Sequence, residues 1–180
     1  MNPIWKNILR IFFYGFIFFV IEHFFEIRDT ITRIQFSFSN PLMVFVSVVC
    51  GPVVGALSIA FGQFLELSTH HNTDWIFILL SALNCASIGY GMRKVDIHNG
   101  FFDRSDVTHF NKVQILSNLI CWILLRPLLI HFVYHTNIIQ ELEKGFWMVM
   151  GYFISNSIVA TIFLALYARS RVTAANFYRN

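Results

Sequence analysis

The sequence predicts an all-α integral membrane protein of six transmembrane helices, with both ends in the cytoplasm and a tight Gly-Pro hairpin between helices 2 and 3. Three observations carry this. Hydrophobic residues make up 56% of the 180 positions and charged residues 13%, the latter about half the share of a soluble domain. Apolar runs alternate with polar connections too short for a soluble unit, so residues 1–180 are read as one domain lying mostly in lipid. The third observation is the apolar stretch 37–66, which is interrupted at its middle by Gly51-Pro52. A proline inside a helix removes a hydrogen bond and clashes with the preceding turn, at a cost of ~3 kcal/mol, and Gly-Pro is a strong turn signal. Two short helices joined by a turn are therefore expected there.

The first helix is expected over 8–25, with Trp5, Lys6 and Arg10 as interfacial anchors and Phe12, Phe13, Phe16, Phe18, Phe19, Phe24 and Phe25 exposing much of it to lipid. No small-residue cleavage site follows Val20, so this is read as a span and not a removed signal peptide. Residues 28–40 form a loop in which Ile31, Ile34, Phe36 and Phe38 can fold back over the membrane surface. The second helix, 41–49, is short for a hydrocarbon slab of ~30 Å at ~1.5 Å per residue, so it must tilt or be sheltered by neighbours. The third, 53–67, carries Gly55, Ala56, Ser58, Ala60 and Gly62, small residues that let helices approach. After the polar connection 69–74 comes the fourth helix, 75–92, with Asn84 in its middle and Arg93-Lys94 at its end. Residues 95–111 are the longest polar connection. The fifth helix spans 112–134, residues 135–145 connect, and the sixth covers 146–168.

Charge supports this topology. With the N-terminus inside, nine basic residues fall inside (Lys6, Arg10, Arg93, Lys94, Arg104, Lys112, Arg169, Arg171, Arg179) and three outside (Arg28, Arg33, Lys144), as the positive-inside rule requires. Reading Gly51-Pro52 as a mere kink gives five spans and places the C-terminal basic cluster opposite Lys6 and Arg10. The net charge of +3 is spread singly along a hydrophobic chain and makes no nucleic-acid patch. Cys50, Cys85 and Cys121 sit in apolar runs without paired spacing and read as small buried hydrophobes.

Arg126 is the most expensive residue to insert, at ~2.5–3.5 kcal/mol or more within a span. It either holds an anionic or carbonyl-bearing solute or pairs with Glu66 or Glu22. Gln63 and Glu66 share a helix face near the outer end, where they either line a pocket or reach the interface. Trp75, Tyr134, Trp147 and Tyr152 near the outer ends of spans form an aromatic belt or stack on a ligand ring. His70, His71, His131 and His135 come without HExxH or Cys-His spacing, so no metal and no cofactor is assigned. Gln114, Asn118, Asn84 and Asn156 in the inner half either tie helices together by hydrogen bonds, the favoured reading, or touch a solute. No nucleophile-base motif or phosphate-binding glycine loop occurs, which disfavours an enzyme and leaves a binding subunit that works with partners.

The hairpin GPVVGALSIAFGQFLE, the Trp-initiated span ending in a glycine pair, Gly100-Phe101-Phe102, and the stretch HFNKVQILSNLICWILLRPLLIHFVYHT resemble, in that order, the substrate-binding S components of energy-coupling factor (ECF) vitamin transporters. The likeness covers about residues 40–171 and is greatest to the riboflavin-type family, with cobalamin-specific members in or near it. It implies a six-helix subunit of the bacterial cell membrane that captures a vitamin outside, joins a transmembrane scaffold (T) subunit and two ATPase (A and A') subunits, and leaves ATP hydrolysis to them. On this chain the resemblance selects Glu66, Trp75, Arg126, Tyr134 and Trp147 as solute contacts. Three positions depart from the pattern. The first helix has only Gly15 small amid Phe where an Ala-x-x-x-Ala docking face is usual, and Gly62-Gln63 and Asp74-Trp75 stand where relatives often have Gly-His and Trp-Trp. The lost ring favours cobalamin slightly over riboflavin. From a different class, a structural or regulatory membrane subunit that binds no solute remains the alternative.

Overall fold

The computed structural model describes residues 3–25, 27–28, 35–36, 39–69 and 74–177, with side chains over 4–24, 39–69 and 74–172. Among these, six helices form: α1 (Pro3–Phe25), α2 (Ser39–Cys50), α3 (Pro52–Thr69), α4 (Trp75–Gly91), α5 (Arg104–Tyr134) and α6 (138–177). Four of them, α1, α3, α5 and α6, are long and apolar enough to cross a membrane. The expected all-α, multi-pass architecture is present. Its one addition is a two-residue antiparallel pairing of β1 (Ile27–Arg28) with β2 (Gln35–Phe36), which runs beside the first half of α6. The surface loop expected from Ile31, Ile34 and Phe38 and the pair His70 and His71 fall outside the described residues.

The reversal at Gly51-Pro52 is built from both residues. Gly51 takes φ +104°, which an L side chain rarely adopts. Pro52 then opens α3 at a position where its missing N–H is not needed. A methyl group on Gly55 would lie 2.4 Å from Cβ of Ser47, so the backbones of α2 and α3 touch just past the turn. At 12 residues, α2 spans ~18 Å and cannot cross the hydrocarbon alone. Shelter by neighbours is the solution adopted, since Ser39, Asn40, Met43, Val44, Val46 and Ser47 are all buried. The Ser47 hydroxyl donates to the Cys85 carbonyl at 2.7 Å, fixing α2 on α4.

The last two helices begin earlier than the sequence reading placed them, at Arg104 and Ile138 in place of 112 and 146. The cause is capping in both cases. Asp103 accepts from the N–H groups of Ser105 and Asp106 at 2.8 and 3.0 Å, and Asp106 accepts from the N–H of Asp103 at 3.1 Å, a reciprocal capping box. Asn137 accepts from the N–H of Ile139 at 3.0 Å. With 31 residues, α5 is ~46 Å long, so its polar first turns project beyond a ~30 Å hydrocarbon layer.

Both long helices contain a wide-turned segment, Leu119–Leu125 in α5 and Asn156–Ala160 in α6. In α5 it leads into Arg126-Pro127, and the Arg126 N–H donates to the carbonyl of Cys121, five residues back. The wider turn accommodates a ring that would otherwise clash with the carbonyl four residues before it. On the other side of the molecule, α1 and α3 cross closely. A methyl on Gly62 would lie 2.6 Å from the Gly15 carbonyl oxygen, and one on Gly15 would lie 2.7 Å from the Phe61 ring.

Candidate functional site

One face of α5 carries Gln114, Asn118, Trp122 and Arg126 at every fourth residue. In a regular helix each such step drifts ~40° past a full turn, which would fan the four side chains apart. The wide turns of Leu119–Leu125 take up much of that drift. All four point inward: Gln114, Asn118 and Trp122 are no more than 1% exposed, and the Arg126 side chain is 12% exposed.

Facing this stripe, α4 and α6 supply a graded set of partners. Toward the start of α5, the Gln114 amide donates to Asn111 of the same helix at 2.7 Å and to the Ser157 hydroxyl of α6 at 2.8 Å. One turn on, the Asn84 amide donates to the Asn118 carbonyl oxygen at 2.9 Å, and the Ser117 hydroxyl donates to the Asn84 carbonyl oxygen at 2.7 Å. The interhelical role expected of Asn84, Gln114 and Asn118 is what these bonds perform. Beyond them Trp122 lies between Phe77 of α4 and Tyr152 of α6, with ring centroids 5.3 and 5.5 Å away. At the far end of the stripe, Arg126 pairs with Glu141 of α6 at 2.6 Å, and Lys144 reaches the other oxygen of the same carboxylate, also at 2.6 Å. Gly145 lets α6 approach here, since a methyl on it would lie 2.1 Å from the Trp122 carbonyl oxygen.

What sets this seam apart from an ordinary helix interface is its unused hydrogen-bonding capacity. Among the described residues, the Gln114 Oε1, Asn118 Nδ2, Trp122 Nε1 and Arg126 Nε atoms have no partner, and neither amide atom of the fully buried Asn156 has one. Each such group costs ~1–3 kcal/mol when buried, and apolar side chains of similar shape would avoid that cost.

Arg126 lies on the seam, but its partner is Glu141 and not Glu66 or Glu22, a correction whose reason is that 135–145 is largely helical. Glu66 is buried on the α1 side, 3.3 Å from His23. Glu22 is bonded by the Ser39 hydroxyl. The Gln63 amide donates to the Ser81 hydroxyl at 3.0 Å, joining α3 to α4. Trp75 and Tyr134 are half-exposed at helix ends, as belt residues would be, and Trp147 is partly buried with its ring against Phe146. Tyr152 is not a belt residue, being 7% exposed against Trp122. His131 is bonded to the Thr136 carbonyl at 2.7 Å, where the chain turns through a left-handed His135. Trp122, Phe77 and Glu141 were not anticipated. The four-residue spacing from Gln114 to Arg126 was the available signal for Trp122.

The family model described as ECF-type riboflavin transporter, S component, matches residues 8–140. The chain belongs to this family. Similar proteins are the UPF0397 protein of Enterococcus faecalis, 27% identical over 167 residues that cover 92% of this chain and 91% of the relative. One from Staphylococcus aureus strain JH9 is 24% identical over 168 residues, 93% and 91% of the two chains. One from Lactiplantibacillus plantarum is 27% identical over 154 residues, 85% and 83%. No solved structure matches. The family match takes in α5, and with it the whole stripe of this S component from Gln114 to Arg126.

Proposed function

We propose that this S component captures a vitamin with a planar ring system in the seam between α4, α5 and α6 and passes it inward as part of an ATP-driven importer of the bacterial cell membrane. The observation that carries the reading is the stripe of buried, unpartnered polar atoms on Asn118, Trp122 and Arg126 of α5, with the rings of Phe77 and Tyr152 against Trp122. Polar atoms fix orientation and aromatic surfaces supply area, the usual division of labour in a small-molecule site. Of the five contacts expected from the sequence, Arg126 belongs to this seam. Glu66, Trp75, Tyr134 and Trp147 are proposed as contacts along the entry route.

A flavin is favoured as solute. The preference for cobalamin rested on a missing ring at the start of α4, and Trp122 with Phe77 and Tyr152 supplies ring surface at another level. The family description itself names riboflavin. Cobalamin is the competing solute. The T subunit and the two ATPase subunits are proposed partners, and ATP hydrolysis is proposed to reside in the latter. The reading in which the protein binds no solute draws on one observation, the ion pair that already occupies Arg126.

Calorimetric titration of the purified full chain with riboflavin, cobalamin, pantothenate and folate separates these readings. Riboflavin is expected to bind, and Trp122→Phe, which keeps a ring and removes the N–H, to weaken it about tenfold, equivalent to ~1.4 kcal/mol. Binding of cobalamin alone would replace the flavin assignment. Absence of binding by all four vitamins, with no small molecule found by mass spectrometry in the purified protein, would leave the structural reading.

A further inference from the structure

A second site lies at the opposite end of the molecule from the Arg126–Glu141 pair. Between α2 and the last turns of α6 runs an open groove of about 420 Å³, lined by Leu42, Phe45, Phe163, Leu166, Tyr167 and Ser170. Its walls are apolar except at one end. There Arg171 donates to the Tyr167 hydroxyl from Nε at 3.0 Å and from Nη2 at 2.6 Å, with its guanidinium 5.0 Å above the same ring. A ring nitrogen of His98 lies 3.1 Å from that hydroxyl. His98 is brought there by the turn at Gly100, where φ is +88° and a methyl group would lie 2.4 Å from Val172. Arg171 is thus oriented by Tyr167 through Nε and Nη2, while its side chain is exposed and Nη1 makes no hydrogen bond among the described residues.

We propose that this groove binds an anionic phospholipid of the inner leaflet, with an acyl chain along Leu42, Phe45, Phe163 and Leu166 and the phosphate on Arg171. Two features of the molecule point to this occupant. The groove is lined by apolar side chains, and the Arg171 guanidinium stands beside its Tyr167 end, where the sequence predicts that α6 leaves the membrane on the cytoplasmic side, the level of a headgroup. A guanidinium matches a phosphate bidentately, and anchoring by Tyr167 lowers the ordering cost of that contact. A neutral lipid would fill the groove equally well but gain nothing from Arg171.

Native mass spectrometry of the detergent-purified full chain tests the assignment, with phosphatidylglycerol and phosphatidylcholine of identical acyl chains added in turn. Wild type is expected to retain phosphatidylglycerol in preference. Arg171→Gln is expected to reduce that retention about fivefold, the equivalent of ~1 kcal/mol, and Leu166→Trp, which fills the groove, to reduce both lipids. Glycerol phosphate in excess is expected not to displace the lipid. Equal retention of the two lipids, an unchanged Arg171→Gln, or displacement by glycerol phosphate would each overturn the proposal. So would cross-linking from position 166 to another membrane subunit in the assembled importer in place of lipid.

Discussion

Arg126 shows how a costly residue is made tolerable. Its side chain is 12% exposed and that of Glu141 4%, so the pair is nearly removed from solvent, while Lys144 at 60% exposed adds a second, solvated cation. Removing one member of a buried pair strands the other charge, which costs ~3–5 kcal/mol, whereas replacing both by apolar residues is close to neutral. Glu141→Gln is therefore expected to lower the thermal midpoint of the detergent-solubilised protein sharply, and Arg126→Met with Glu141→Leu to restore most of it. Equal loss in the single and double variants would show that the pair does not act as a unit. The need of Arg126 for a partner was legible in the sequence. The identity of that partner was not, because Glu141 sits in the polar run Thr136 to Lys144, which looks like a loop until Asn137 is seen to cap it. Trp122 was hidden for another reason. In a stretch as uniformly apolar as LICWILL, hydrophobic periodicity gives no face, and only the polar neighbours four residues to either side mark one.

At the scale of elements, turn chemistry was easier to read than helix starts. Gly51-Pro52 announced its reversal by residue type alone, and α2 is short and sheltered as its length required. The start of α5 was missed although Asp103 and Asp106 stand at capping-box spacing, because a polar run beside a membrane span invites assignment to a connection. The Asp103 carboxyl is held below its ordinary value of 3.8, chiefly by the N–H of Asp106 and then by Ser105. A depressed carboxylate stabilises the folded state above its unfolded pKa, and that contribution is lost as pH falls through the folded value. The difference in thermal midpoint between wild type and Asp103→Ala is thus expected in full at neutral pH, and should begin to shrink as pH falls past 3.8 and go on shrinking through the lower folded value. A difference that persists unchanged in acid would remove the carboxylate from the cap.

At the scale of the whole molecule, the sidedness predicted from Lys and Arg placement can be checked directly. In a background lacking Cys50, Cys85 and Cys121, Lys6→Cys and Asn99→Cys should react with an impermeant maleimide from one side of the membrane and Ile139→Cys, at a site 71% exposed, from the other. Reaction of positions 6 and 99 from opposite sides would mean that the chain crosses once where α2 and α3 are read as a fold-back. The two halves of the bundle are joined differently. On the α5–α6 side, side-chain contacts hold the helices together, the Gln114–Ser157 hydrogen bond and the Arg126–Glu141 pair, whereas α1 and α3 meet main chain to main chain at Gly15 and Gly62. A side chain at either glycine would meet the opposite helix, at 2.6 Å from the Gly15 carbonyl oxygen or 2.9 Å from that of Ser58, so this crossing depends on both staying glycine. The single small residue of α1 is thereby committed inward, and the surface this helix turns outward is made of large side chains, Ile4, Trp5, Leu9, Phe12, Phe13 and Phe16 among them, with no shallow strip along which another helix could nestle.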